Sequence, residues 1–192
     1  IKKEASGIDS ITIVRIGIMA LEVFFNNSTP NTLHAIRSCT KSIMSILIGI
    51  ALDQGRVDSI HRPIISFFPE KKFSNLDERK KAITLEHVLM MATGLECLDS
   101  VKYGWKGLYA YMQQEDWTQS ILDTPMMEAP GTRFEYCNGA SFLLSAVIHK
   151  ITGSSFVFAR RHLFNPLGIT DLKWNVNPRG IHIGWGGMFL KP

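Results

Sequence analysis

Ser38-Cys39-Thr40-Lys41 forms an S-x-x-K tetrad. On a helix, residues i and i+3 share a face, with Cβ atoms about 5–6 Å apart. A lysine amine at that spacing reaches the serine hydroxyl. A free lysine amine, with a pKa near 10.4, is a poor base at neutral pH. Burial favours the neutral amine, and the apolar run Ile43 to Leu52 offers a dry setting. A serine at a helix start also meets the positive end of the helix dipole, which favours a developing alkoxide or oxyanion. The tetrad alone is a weak signal, because chance gives about one such match in a chain of this composition. A plain helix N-cap at Ser38 with Lys41 on the surface would explain it as well.

Tyr136-Cys137-Asn138 is more specific, with about 0.2 matches expected by chance. On extended backbone, Tyr136 and Asn138 point into one cleft while Cys137 points away. A phenol relays a proton when cations lie near it, and an amide orients both a lysine and a substrate. The plainer alternative is a core tyrosine followed by an asparagine capping the helix that starts at Gly139. The six histidines form no H-x-x-x-H or H-x-H pair, so no metal site is expected. Gly184-Trp185-Gly186-Gly187 is not followed by Lys-Ser or Lys-Thr, which argues against a phosphate loop. The Glu86-His87 pair reads as structural.

These residues need elements to hold them. The β-rich stretch Ile11 to Phe25, with Arg15-Ile16-Gly17 in its middle, predicts a hairpin. A helix is expected from about Ser38 to Asp53, with Gly55 closing it. It is apolar on nearly every side, so it should sit in the core. Val57 to Lys81 reads as irregular, with Glu70-Lys71-Lys72 as a solvated loop. Thr84 reads as an N-cap, with Leu85, Val88, Leu89 and Ala92 at helical spacing and Gly94 as the stop. Val101 to Asp123 carries Trp105, Tyr109, Tyr111 and Trp117, as core or as an aromatic pocket. Further helices are expected over Gly139–Thr152 and Ser155–Phe164, with a break at Pro166-Leu167-Gly168. Ile181 to Leu190 is Gly-rich and apolar, a strand or a tight loop.

The chain has 192 residues, enough for one domain with a core, and shows no repeat or linker that would argue for a second. A net charge of +4, with acids and bases interspersed, gives no basic block, which argues against nucleic acid. No apolar run approaches the roughly 18 residues of a transmembrane segment. Cys39, Cys97 and Cys137 do not suggest a disulfide framework and read as small buried thiols. The start, Ile1-Lys2-Lys3-Glu4, has neither an initiator Met nor a signal peptide's regions, so the chain reads as cut from something longer and its localisation stays open.

Tetrad and triad, in this order and about a hundred residues apart, resemble the serine β-lactamase and penicillin-binding superfamily. The nearer likeness is to its class C-like branch of esterases, D-amino-peptidases and 6-aminohexanoate-dimer-hydrolase-like enzymes. Four flanks carry it: Arg37–Ser42 leading into Leu47–Ala51, Ile83–Leu89 with Thr93-Gly94-Leu95, Pro130–Asn138, and Leu163–Ile169.

The resemblance implies an α+β, β-lactamase-like fold with an N-terminal hairpin of an antiparallel sheet and a mostly helical region. The expected division is 8–55 for hairpin and nucleophile helix, 56–180 for the helical region, and 181–192 for the start of a return to the sheet. It implies that Ser38 attacks a carbonyl to form an acyl-enzyme, that Lys41 and Tyr136 share the proton transfers, and that Asn138 positions lysine and substrate. The Ser38 backbone N–H would be one oxyanion donor. The implied partner is a small ester or amide substrate, with no cofactor.

The family's third motif is Lys- or His-x-Gly on a closing strand, and no such motif follows Asn138 in a fitting context here. Its strand and the later sheet strands are expected to lie beyond Pro192. The 192 residues alone are therefore expected to be poorly active, since one missing oxyanion donor costs about 10²–10³ in rate. The competing readings are a non-catalytic binding or sensor relative, an inactive fragment, and a helical interaction domain with chance motifs.

Overall fold

The computed structural model describes residues 7–98 and 104–192. The chain opens with a hairpin, β1 (Ser10–Arg15) and β2 (Ile18–Phe24). Ile16 and Gly17, at φ 50° and 73°, form its two-residue turn. Left-handed backbone at both positions matches the twist of the strands, although a β-branched Ile16 pays a steric cost there that Gly17 does not. The two strands pair antiparallel, with a register shift between Ile13 and Val14.

Helix α1 (Thr40–Asp53) follows a 3₁₀ turn, Arg37–Cys39. The predicted helix start at Ser38 thus falls in the tighter turn. Gly55, at φ 66°, sits just past the helix end. The expected all-round burial of this helix does not hold. Met44, Leu47, Ile48 and Ala51 are buried, but Ile46 is 49% exposed and Gly49 opens on empty space. Apolar composition marks a surface that can be covered, and on this flank no element of the described chain covers it.

The middle of the chain is a set of short helices: α2 (Glu78–Lys81), α3 (Leu85–Leu89), α4 (Gly104–Met112) and α5 (Trp117–Leu122). Thr84 caps α3 as expected. Its hydroxyl accepts from the His87 backbone N–H, and His87 Nδ1 in turn accepts from the Thr84 N–H. The Glu86-His87 pair is therefore structural. The helix stops at Leu89, short of the predicted Gly94. The run Glu70-Lys71-Lys72 is not simply solvated: Lys71 turns inward to Asp116, and Glu70 pairs with Lys150. Val101, Lys102 and Tyr103, at the start of the aromatic-rich stretch, lie outside the described residues.

Helix α6 (Asn138–Thr152) is the central element, buried along Gly139 to Ile148. It packs against α1, α3, α4, α5 and α7. Gly153, at φ 79°, ends it, and its N–H bonds to the His149 carbonyl. Helix α7 (Ser155–Ala159) continues through a π turn at Arg160–Phe164. The tail returns to the start of α1. β5 (Met188–Leu190) lies between β3 (His34–Ala35) and β4 (Leu172–Trp174) in a small antiparallel sheet. No single helix among the described residues is long and apolar enough to cross a membrane.

Candidate active site

Two helix starts and the tail meet at one cleft. Ser38 stands in the 3₁₀ turn that leads into α1, and Lys41 lies in the first turn of α1. Lys41 Nζ donates to Ser38 Oγ at 3.1 Å. Tyr136, just before α6, donates its hydroxyl to the same oxygen at 2.8 Å. Lys41 Nζ lies 4.9 Å from the centre of the Tyr136 ring. Two proton-bearing groups therefore converge on one serine hydroxyl from segments about a hundred residues apart in sequence.

The plainer reading of the tetrad does not describe this geometry. Neither the 3₁₀ turn nor α1 has a side-chain cap, so Ser38 is not an ordinary N-cap. Lys41 is half-buried rather than on the open surface. Asn138 is likewise not the cap of α6. Cys137 holds that position, and Asn138 is the first helical residue. Asn138 lines the cleft with Ser38.

The tail supplies contacts that the sequence did not reveal. The Trp185 carbonyl accepts from Lys41 Nζ at 2.9 Å. Trp185 is itself wedged in an aromatic stack, 5.1 Å from Trp117 and 5.6 Å from Phe142. Gly184 allows this approach. A Cβ there would lie 2.4 Å from the Ser141 carbonyl oxygen of α6. Backbone carbonyls carry no residue signature, so sequence could flag the glycines but not the carbonyl they deliver.

Arg37 is a second unforeseen feature. Its backbone is left-handed, φ 49°, immediately before Ser38. For a residue with a Cβ this conformation costs about 1–2 kcal/mol. The Arg37 carbonyl accepts the buried Thr40 hydroxyl at 2.8 Å, which holds the turn closed.

The cleft has a volume of about 190 Å³ and is lined by Arg37, Ser38, Leu108, Asn138, Trp185, Gly186 and Gly187. A wider opening of about 460 Å³ lies elsewhere, between α5 and Arg179. It contains Asp116, held by Lys71 and Arg179, and Thr124, whose hydroxyl donates to the Ile121 carbonyl. Of the aromatic candidates, Tyr111 and Trp117 are core, whereas Tyr109 is exposed. The side chain of Trp105 lies outside the described residues. No group of three or more His, Cys, Asp or Glu among the described residues could hold a metal ion.

The expectation of three separate thiols is corrected. Cys97 and Cys137 form a disulfide across 40 residues, with Cα atoms 5.8 Å apart, and Cys39 is free and exposed. The two half-cystines are brought together by the packing of α6 beside the loop after α3, which composition does not encode.

A family model described as Beta-lactamase matches residues 21–188. Among solved structures, a Bacillus anthracis protein provisionally described as a 6-aminohexanoate-dimer hydrolase matches with a TM-score of 0.75 and 19% identity, over 95% of this chain and 50% of that one. FmtA from Staphylococcus aureus matches at 0.74 and 17%, over 96% and 57%. The octameric penicillin-binding protein homologue from Pyrococcus abyssi matches at 0.70 and 20%, over 95% and 49%. At these identities the likeness is one of fold. The chain spans about half the length of these structures.

Proposed function

Because the chain belongs to the Beta-lactamase family, we propose that it is the nucleophile-bearing region of a serine hydrolase that cleaves an ester or amide through an acyl-enzyme on Ser38. One observation carries the reading: Lys41 Nζ and Tyr136 OH both reach Ser38 Oγ, at 3.1 and 2.8 Å.

In this reading Ser38 Oγ attacks the substrate carbonyl carbon as its proton passes to whichever of Lys41 and Tyr136 is unprotonated. The tetrahedral intermediate collapses, the C–O or C–N bond breaks, and the leaving alcohol or amine takes up that proton. Water then attacks the acyl ester, releases the acid and restores the Ser38 hydroxyl. The Trp185 carbonyl and the Tyr136 ring hold the Lys41 amine in place. Asn138 orients the substrate, and the Ser38 backbone N–H stabilises the oxyanion. The apolar walls at Leu108 and Trp185 suit the acyl portion of a carboxylester, a β-lactam or an oligoamide.

The test is intact-mass analysis of the whole protein after exposure to an activated ester and to a chromogenic β-lactam. A mass increase of one acyl group, mapped to Ser38 and abolished in Ser38→Ala, is expected. Labelling that survives Ser38→Ala would sink the assignment.

A further inference from the structure

Cys137 stands between Tyr136 and Asn138, the two residues that face Ser38. Its backbone is extended, φ −139° and ψ 118°, so its side chain leaves on the side opposite its neighbours. That side chain is bonded to Cys97. Cys137 is also the N-cap of α6, and no side-chain hydrogen bond caps the helix. Ser, Thr, Asp or Asn at this position would ordinarily supply such a bond. Here the helix start is held covalently instead.

The anchor at the other end is firm. Glu96 N–H donates to the Pro125 carbonyl at 2.8 Å, and Leu95 forms a bridge with Met126. Leu98 N–H donates to the hydroxyl of Tyr111, a buried residue. Upstream of the motif, Glu135 N–H donates to the Met91 carbonyl at 2.8 Å. The disulfide ties the chain at the start of α6, with Tyr136 just before its own half-cystine and Asn138 just after it. Both cysteines are buried.

We infer that Cys97–Cys137 is a positioning pair that clamps Tyr136 and Asn138 onto Ser38 and Lys41, so that the site assembles when the pair is oxidised and loosens when a dithiol reduces it. The inference rests on the serine-hydrolase reading. Reduction breaks the S–S bond and forms two thiols, and the dithiol leaves as its own disulfide with the loss of two electrons and two protons. Disulfides persist in oxidising compartments and open in reducing ones. The site thus matures in the former and idles in the latter.

The experiment uses the whole protein in three forms: oxidised, reduced with dithiothreitol, and Cys97→Ser. Peptide mapping should find Cys97 joined to Cys137 in the oxidised form, and free thiols there would overturn the inference. Ser38 acylation by an activated ester should slow on the order of 10- to 100-fold in the other two forms, the loss expected when a reacting group moves by ~1 Å. kcat should fall more than KM, the pH profile should shift, and reoxidation of the reduced protein should restore both. Backbone hydrogen exchange over residues 134–138 should rise while the rest of α6 stays protected. Reduced protein that acylates at the oxidised rate, or whose exchange rises uniformly across the chain, would overturn the clamp. If Ser38 is unlabelled in every form, the hydrolase reading fails instead, and the exchange pattern still decides whether the disulfide holds the segment.

Discussion

In α6 every residue from Gly139 to Ile148 is buried. In the β1–β2 hairpin, Ile11, Ile13, Val14, Ile18, Met19 and Leu21 are all exposed. Both segments are apolar, and the difference lies in how each satisfies its needs. The hairpin pairs only the inward-facing groups of its two strands, so both strands remain open edges and their apolar side chains lie uncovered among the described residues. The long apolar helix takes its stability from neighbours packed on every face. The candidate site hangs from the second kind of structure. Tyr136 and Asn138 sit at the start of α6, Ser38 and Lys41 at the start of α1, and these two helices pack together. Placement of the four candidate groups therefore depends on the core.

Removing mass from the core should break this contrast most sharply. Phe142 is fully buried and packs against both Trp117 and Trp185. Phe142→Ala should cost about 3–5 kcal/mol of unfolding free energy, measured by denaturant titration, and should lower Ser38 acylation with it. A loss below 1 kcal/mol would mean that α6 is not the core helix described. Gly184→Ala comes next. Its Cβ must displace the Ser141 carbonyl or push the tail away, at about 1–3 kcal/mol. Because the tail carries the Trp185 carbonyl, the pH dependence of acylation should shift as well. An unchanged profile would remove Trp185 from the lysine's support.

A third test uses acid. His182, packed against Phe156 and Trp174, has its pKa lowered to about 4, first by burial and then by the charge of His149. Its folded value lies below the unfolded value near 6.5, so the unfolded state binds the proton first. The stabilising effect of neutral His182 is complete above about pH 6.5 and is lost as pH falls from there toward 4. Denaturation midpoints should begin to drop between pH 7 and 5, and His182→Phe should flatten that slope. A slope unaltered by the substitution would contradict the assignment. The smallest effect belongs to the hairpin. Ile13→Ser should change stability by no more than about 0.5 kcal/mol, and a loss above ~1.5 kcal/mol would show that this face is covered in solution.

The parts of the molecule that could be read from sequence are those written locally. The turn at Ile16-Gly17, the cap at Thr84 and the glycine stop at Gly55 each depend on a few adjacent residues. The four candidate side chains were also visible, because side-chain chemistry and spacing carry their signal. What stayed hidden depends on distant partners. The exposure of Ile46 follows from the lack of a neighbour in the described structure, and apolarity alone cannot report that. The Cys97–Cys137 bond needs a tertiary approach across 40 residues. The Trp185 carbonyl reaches Lys41 from 144 positions away in the chain, through an atom that every residue possesses.

The near-parallel indoles of Trp117 and Trp185, 12° between their planes, have an optical consequence. Indoles fixed in a packed core give near-ultraviolet dichroism that disappears when the packing is lost. Since the Trp185 backbone holds Lys41, that dichroism is an intrinsic signal of whether the lysine's support is assembled. It can be followed in native protein, without label or substrate, as the chain folds.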